Sequence, residues 1–237
     1  MMLKVRELTK RFGGVIALDG LELHIGKGEI VGIIGPNGSG KTTFVNVVTG
    51  LYKADRGEVL FEGRPITNRP PLEIAKLGIN RTFQIPRVFP DLSVLENLLA
   101  LYTSKAISEE EAINTLDLVG LYDKRDQPAK NLTAAESRKL ELARALVMKP
   151  KLLFLDEPVA GLTLTEMEEV AELLRQVHRE GTTLCIIEHT LKFIFDLVER
   201  VIVFHVGKKL AEGKPQEVAE DEKVIEVYIG GKYVAEA

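Results

Sequence analysis

Cysteine is almost missing from this chain: one among 237 residues, Cys185. A disulfide framework is excluded, and a reducing cytosol fits. Cys185 lies inside the apolar run Thr183-Leu184-Cys185-Ile186-Ile187 and reads as a core strand residue, not a reactive thiol. Long apolar runs are missing as well. No uninterrupted apolar segment is long enough to span a bilayer and no signal peptide is expected, so any membrane role must come through a partner protein. Basic charge is not in excess: 31 Lys and Arg stand against 35 Asp and Glu, a net charge of −4. With no basic stripe, nucleic acid is not an expected partner. Repeats, low-complexity tracts and long linkers are absent too. What remains is 45% hydrophobic and 28% charged, enough apolar material for one large domain with room for a subdomain.

The most informative stretch is Gly35-Pro36-Asn37-Gly38-Ser39-Gly40-Lys41-Thr42, which matches G-x-x-x-x-G-K-[ST] in full. It follows the apolar run Glu29-Ile30-Val31-Gly32-Ile33-Ile34, which reads as a buried strand. It precedes Thr43 to Leu51, which reads as the start of a helix. Strand, loop and helix in that order mark a phosphate-binding loop. The glycines let the backbone curl, so that successive N–H groups from Gly35 through Asn37, Gly38, Ser39 and Gly40 to Thr43 face an anion. The helix N-terminus adds positive dipole at the same place. Lys41 is placed to reach the β- and γ-phosphates, and the Thr42 hydroxyl to coordinate Mg²⁺.

The rest of the chain alternates. Leu3 to Leu8, Leu21 to Ile25, Ile30 to Ile34 and Glu58 to Phe61 read as short strands with turns between them. From Leu92 to Met148 the spacing becomes helical, with Val94, Leu95, Leu98, Leu99 and Tyr102 in register. Ser108 with Glu111 forms a capping box for a helix that runs through Val119 and ends at Gly120. Thr133 to Met148 reads as a third helix. Leu152 to Leu155 then reads as a buried strand, Thr165 to Arg179 as an amphipathic helix, and Thr183 to Ile187 and Val201 to Phe204 as strands. From Pro215 onward the spacing is helical again. A helical block between two core strands suggests one core with a helical subdomain.

Leu152-Leu153-Phe154-Leu155-Asp156-Glu157-Pro158 is the second signal. An apolar strand that ends in Asp-Glu sets two carboxylates at the carboxyl edge of a sheet, where open α/β sheets bind ligands. Asp156 suits Mg²⁺ held through its waters. Glu157 suits orienting or deprotonating an attacking water. Gln84 follows Arg81-Thr82-Phe83 where the core meets the helical block, and His189 follows Ile186-Ile187-Glu188. Neither carries weight alone; their order does.

Phosphate loop, Gln84, Asn131-Leu132-Thr133 opening a helix, Asp156-Glu157 and then His189 together resemble the nucleotide-binding subunit of an ATP-binding cassette (ABC) transporter. The resemblance covers essentially the whole chain. Arg81-Thr82-Phe83-Gln84 followed by Val88-Phe89-Pro90-Asp91-Leu92-Ser93-Val94 narrows it to the branched-chain amino acid importer ATPases, with the lipopolysaccharide-export ATPase as a near neighbour. It implies an α/β fold: a P-loop NTPase core of residues 1–84 and 149–237, with an N-terminal antiparallel β subdomain and an inserted helical subdomain of residues 85–148. It implies ATP and Mg²⁺ as ligands, with Phe12 stacking on adenine. Gln84 would sense Mg²⁺ and water and connect to the membrane subunit, and His189 would contact the γ-phosphate. Its implied partners are integral membrane permease subunits, a second ABC ATPase subunit in a homodimer or heterodimer, and a periplasmic or extracellular solute-binding protein. The protein would then sit peripherally on the cytoplasmic face of the cell membrane.

One segment departs from the family. Its signature is Leu-Ser-Gly-Gly-Gln or a close variant; here it reads Leu132-Thr133-Ala134-Ala135-Glu136. Thr133 replaces the serine hydroxyl. Alanine tolerates poorly both φ > 0 and close approach to phosphate, and Glu136 sets a negative charge near the opposite site. Thr133 and Glu136 also form a capping box, which would turn the carboxylate onto its own backbone. Two readings therefore stand: a full ATPase motor, or a subunit that binds ATP and turns over slowly. A phosphotransfer kinase has no acceptor-substrate motif to support it.

Overall fold

The computed structural model of the chain describes residues 1–101 and 107–234, with side chains described to residue 228. Two sheets share the work. Strands β1 (Leu3–Phe12), β2 (Val15–Ile25), β4 (Arg56–Phe61) and β5 (Arg64–Pro65) form an antiparallel sheet in the order β2-β1-β4-β5. The second sheet has six strands in the order β10-β9-β3-β8-β7-β6. These are β10 (Lys208–Gly213), β9 (Arg200–His205), β3 (Ile30–Ile34), β8 (Thr183–Ile187), β7 (Leu152–Asp156) and β6 (Ile79–Arg81). All its pairings are parallel except that of β10 with β9.

The central strands carry apolar side chains on both faces, as a sheet covered on both sides requires. Leu153, Leu155, Leu184 and Ile186 face one core. Leu152, Phe154, Cys185 and Ile187 face the other. Cys185 is thus a core residue, and burial pushes its thiol pKa up, away from reactivity.

The first core is covered by α3 (Val94–Leu99), α4 (Glu109–Leu118), α5 (Ala134–Leu146), α6 (Leu164–Arg179) and α7 (Leu191–Leu197). The second is closed by α1 (Lys41–Val48), the antiparallel sheet and Ile74 of α2 (Pro71–Leu77). The chain finishes in α8 (Pro215–Ala219) and α9 (Glu222–Val234). No helix of the described residues is long and apolar enough to cross a membrane.

Several expected elements shift their ends. The helix after the phosphate loop starts at Lys41, two residues early, because Gly40 in a left-handed conformation takes the N-cap. α3 ends at Leu99, and Tyr102, expected to continue it, lies outside the described residues. The capping box of Ser108 and Glu111 is formed, and α4 stops before the left-handed Gly120. β5, α2, β6, α7 and β10 were not anticipated.

Candidate functional site

Parallel register brings the carboxyl ends of four strands together. Ile33 pairs with Ile187, Ile187 with Asp156, and Arg81 with Phe154. The residues that follow β3, β8, β7 and β6 therefore emerge along one edge: the phosphate loop, His189, Glu157 and Gln84.

The phosphate loop is built by steric exclusion at two glycines. A Cβ at Gly35, whose φ is 148°, would meet the Phe204 carbonyl oxygen at 2.2 Å. One at Gly40, φ 106°, would meet the Ala17 carbonyl oxygen at 2.5 Å. The loop is thus pressed against β9 and β2, and no side chain could stand at either place. Asn37 and Gly38 form its exposed tip, and Ser39 is buried. No side chain caps α1, so its first-turn N–H groups point toward an incoming anion together with the helix dipole. Thr42 and Thr43 lie in that first turn. Lys41 donates through Nζ to the carbonyl oxygens of Gly35 at 2.7 Å and Pro36 at 3.0 Å. Burial lowers its pKa, while Glu157 and Asp156 pull it back up.

Asp156 ends β7 at 3% exposure. Burial raises its pKa, and the Arg81 guanidinium, whose Nη2 lies 3.5 Å from Oδ2, opposes the rise. The Thr82 hydroxyl accepts the Asp156 N–H at 3.3 Å. Glu157 follows with φ 51°, a left-handed conformation unusual for a residue with a side chain. Two hydrogen bonds hold it there: its N–H donates to the Ile187 carbonyl at 2.9 Å, and Arg138 Nη1 donates to its carbonyl at 3.1 Å. The Glu157 carboxylate accepts from Gln84 Nε2 at 2.9 Å on Oε2, and Oε1 lies 3.6 Å from His189 Nδ1. Gln84, Glu157 and His189 are thus gathered around one carboxylate.

Sequence reasoning missed several contributors. Glu188 is fully buried and accepts the N–H groups of Val159 at 3.3 Å, His189 at 2.9 Å and Thr190 at 3.1 Å. It fixes the His189 loop to the segment after Pro158. Arg81 bridges Asp156 to the Asn46 side chain of α1. Tyr52 meets Phe12 edge-on, with centroids 5.2 Å apart, and Phe12 is 44% exposed with Lys10 Nζ 5.1 Å above its ring. An acid one residue before a candidate histidine was a visible signal; the others are long-range contacts.

The signature segment corrects one expectation. Ala134 and Ala135 are the first two residues of α5, and neither has positive φ. The backbone there demands no glycine, so the conformational objection to alanine falls. Thr133 Oγ1 accepts the Glu136 N–H at 3.2 Å, and Glu136 returns to accept the Thr133 N–H at 3.0 Å. Lys124 pairs with the same carboxylate. Glu136 is therefore turned onto its own helix and neutralised.

A groove of about 440 Å³ opens beside this edge, lined by Leu51, Phe83, Arg87, Phe89, Glu141 and Arg144 among others. Arg81 and Arg87 stack on Phe83, and Arg144 on Phe89. A wider cleft, about 870 Å³, lies at the amino ends of β7 and β8, bounded by Lys151 and Thr182. No phosphate-loop residue lines it.

Among the described residues, no group of three or more His, Cys, Asp and Glu could cage a metal. The nearby donors are a threonine hydroxyl, a glutamine amide and an aspartate. These are hard oxygen ligands of the kind that hold Mg²⁺ jointly with phosphate.

A family model described as ABC transporter matches residues 18–160, and one described as branched-chain amino acid ATP-binding cassette transporter matches residues 208–234. A probable branched-chain amino acid transport ATP-binding protein LivG of Archaeoglobus fulgidus is 38% identical, over 98% of this chain and 96% of the relative. A crystal structure of the ADP conformation of an ATP-binding cassette superposes with TM-score 0.88 at 35% identity, covering 97% of this chain and 98% of the other. A dimeric cassette in a post-hydrolysis state, bound to ADP and Pi, superposes with TM-score 0.81 at 28% identity, covering 90% of this chain and 99% of the other.

Proposed function

The chain belongs to the ABC transporter ATP-binding family, and from that premise we propose that it powers uptake of branched-chain or other hydrophobic amino acids through separate permease subunits. The names of the relatives and the family model over residues 208–234 support the amino-acid class. ATP hydrolysis coupled to transport is the activity of the family.

The carboxylate of Glu157, bracketed by Gln84 and His189, is the observation that carries the mechanism. Phe12 stacks on adenine. The N–H groups of Gly35, Asn37, Gly38, Ser39, Gly40, Lys41, Thr42 and Thr43 cradle the phosphates, and Lys41 exchanges its two carbonyl partners for phosphate oxygens. Thr42, Gln84 and Asp156 would hold Mg²⁺, which when bound neutralises charge on the β- and γ-phosphate oxygens. Gln84 donates to Glu157 through its nitrogen, which leaves the two lone pairs of its carbonyl oxygen for Mg²⁺ and for the attacking water. Glu157 then draws a proton from that water as it attacks in line, and His189 donates to the γ-phosphate.

Thr133 opens α5 toward the nucleotide of a second subunit, identical or different. The dimeric relative supports that arrangement. The arginine- and phenylalanine-lined groove, which includes exposed Phe89, together with exposed Ile85 in the segment leading into it and half-buried Val88, would receive a permease helix on the cytoplasmic face of the membrane. An external solute-binding protein would complete the system. Residues 85–148 act in this reading as one helical arm.

The test separates binding from chemistry. Glu157→Gln keeps ATP affinity and loses turnover by about a hundredfold or more, since it removes the base and leaves the phosphate ligands. Lys41→Ala instead weakens nucleotide binding. Unchanged turnover in Glu157→Gln would remove Glu157 from the mechanism.

A further inference from the structure

One buried acid outside the groups assigned above grips the Gln84 segment. Glu141, on α5, is 6% exposed. A single oxygen, Oε1, accepts the backbone N–H of Phe83 at 3.1 Å and that of Arg87 at 3.3 Å. These two amides bracket Gln84-Ile85-Pro86. The bracketed residues have little else to hold them: Gln84 is exposed, Ile85 is 78% exposed, and Pro86 has no N–H.

Neighbouring residues on the same face of α5 make parallel contacts. Arg144 donates to the Arg87 carbonyl, and the Ala145 carbonyl accepts from Asn80 Nδ2 at 3.2 Å. One turn before Glu141, Arg138 donates to the Glu157 carbonyl at 3.1 Å. Positions 138, 141, 144 and 145 fall on one stripe of a helix. That stripe holds the backbone of Glu157 at one end and the shoulders of the Gln84 turn at the other. The reacting pair, Gln84 Nε2 and Glu157 Oε2 at 2.9 Å, is thus set by a common rigid element.

We propose that Glu141 is a positioning residue for hydrolysis: by tying both shoulders of the Gln84–Pro86 turn to α5, its carboxylate fixes the placement of Gln84 against Glu157. The inference rests on the roles given to Gln84 and Glu157 above. It adds a route by which movement of α5, whose N-terminus carries Thr133, reaches this chain's own catalytic pair. A buried carboxylate is a costly way to provide one acceptor. Burial pushes the Glu141 pKa up to about 7 even though both N–H groups, Arg144 and Arg138 lower it. The two bracketing amides would be orphaned without it.

Two measurements on the full-length chain test this: hydrogen exchange at the Phe83 and Arg87 amides, and steady-state ATP hydrolysis. Both amides are expected to exchange slowly in the unmodified chain. Glu141→Gln presents the same carbonyl acceptor and should keep both slow, with kcat within about twofold. Glu141→Asp withdraws the acceptor by one methylene, about 1.5 Å. It should speed exchange at both amides and lower kcat roughly tenfold to a hundredfold, with KM for ATP unchanged.

Fast exchange in the unmodified chain, or unchanged kcat in a folded Glu141→Asp, overturns the proposal. If Glu141→Asp does not fold, Glu141→Gln decides: loss of kcat there means the charge, not the bracket, matters, and the proposal fails. Gln84→Ala separates this inference from its premise. Unchanged turnover in Gln84→Ala removes the premise; reduced turnover there with unchanged kcat in Glu141→Asp removes only the role of Glu141.

Discussion

Glu157 takes a left-handed backbone at φ 51°, and such conformations cost of order 1–3 kcal/mol where a side chain is present. Hydrogen bonds from β8 and α5 hold it there, so this residue is set by packing that no local pattern could reveal. Glu141 carries a different cost. Its pKa rises from 4.5 to about 7, so the folded chain binds that proton more readily than the unfolded chain. The stability linked to it is full below the unfolded value and is lost as pH climbs through about 7. The facing charges are Arg138 and Arg144 on α5 and Arg81 on β6, all cationic. Glu141→Gln is neutral at every pH and should be more stable than the unmodified chain at pH 8, by up to roughly 3 kcal/mol. The gap should close toward pH 5. Urea melts at both pH values check it; an equal gap at the two would sink the idea. In the sequence, Lys41, Asp156 and Glu157 announce themselves by motif. Glu141 and Arg81 do not, because their partners Phe83 and Asp156 lie 58 and 75 positions away; Glu188 is visible beside His189, but its hold on Val159, 29 positions away, is not.

Elements were legible in proportion to how much of their pattern is local. β3 and β8 keep their expected ends because each is a short, fully buried run, apolar throughout in β3 and after Thr183 in β8. The capping boxes at Ser108 and Thr133 form as their spacing implies. β6 is only Ile79-Asn80-Arg81 and is a strand because β7 lies beside it. β10 has no apolar run and is a strand because it pairs with β9. Tertiary pairing overrides weak propensity in both. α5 permits a sharper test. Ala134 and Ala135 are ordinary helical residues, so glycine there would cost helix stability, roughly 1–2 kcal/mol for the pair. Ala134→Gly, Ala135→Gly and Glu136→Gln together should lower the melting temperature, yet raise turnover and ATP-driven dimerisation by letting phosphate approach. If turnover and dimerisation stay the same, both methyls and Glu136 are harmless variants.

At the scale of the whole molecule, partner binding and folding can be separated at Ile85. Its side chain is 78% exposed, so Ile85→Glu should leave melting temperature and ATP affinity as they were. Co-purification with the permease subunits should fall several-fold, as expected for an apolar anchor at an interface rim turned polar. Full assembly with Ile85→Glu would move the contact surface elsewhere. The sheet order has a separate consequence, for synthesis. β8 lies between β3 and β7 and is made after both. Once β7 has left the exit tunnel, two apolar strands are exposed that cannot yet pair with each other, because the strand between them is still to emerge. Their open edges can recruit any neighbouring chain until residue 187 has left the exit tunnel. Crowding on polysomes is therefore most hazardous over residues 156 to 187, and a holdase that covers strand edges protects this protein most during that interval.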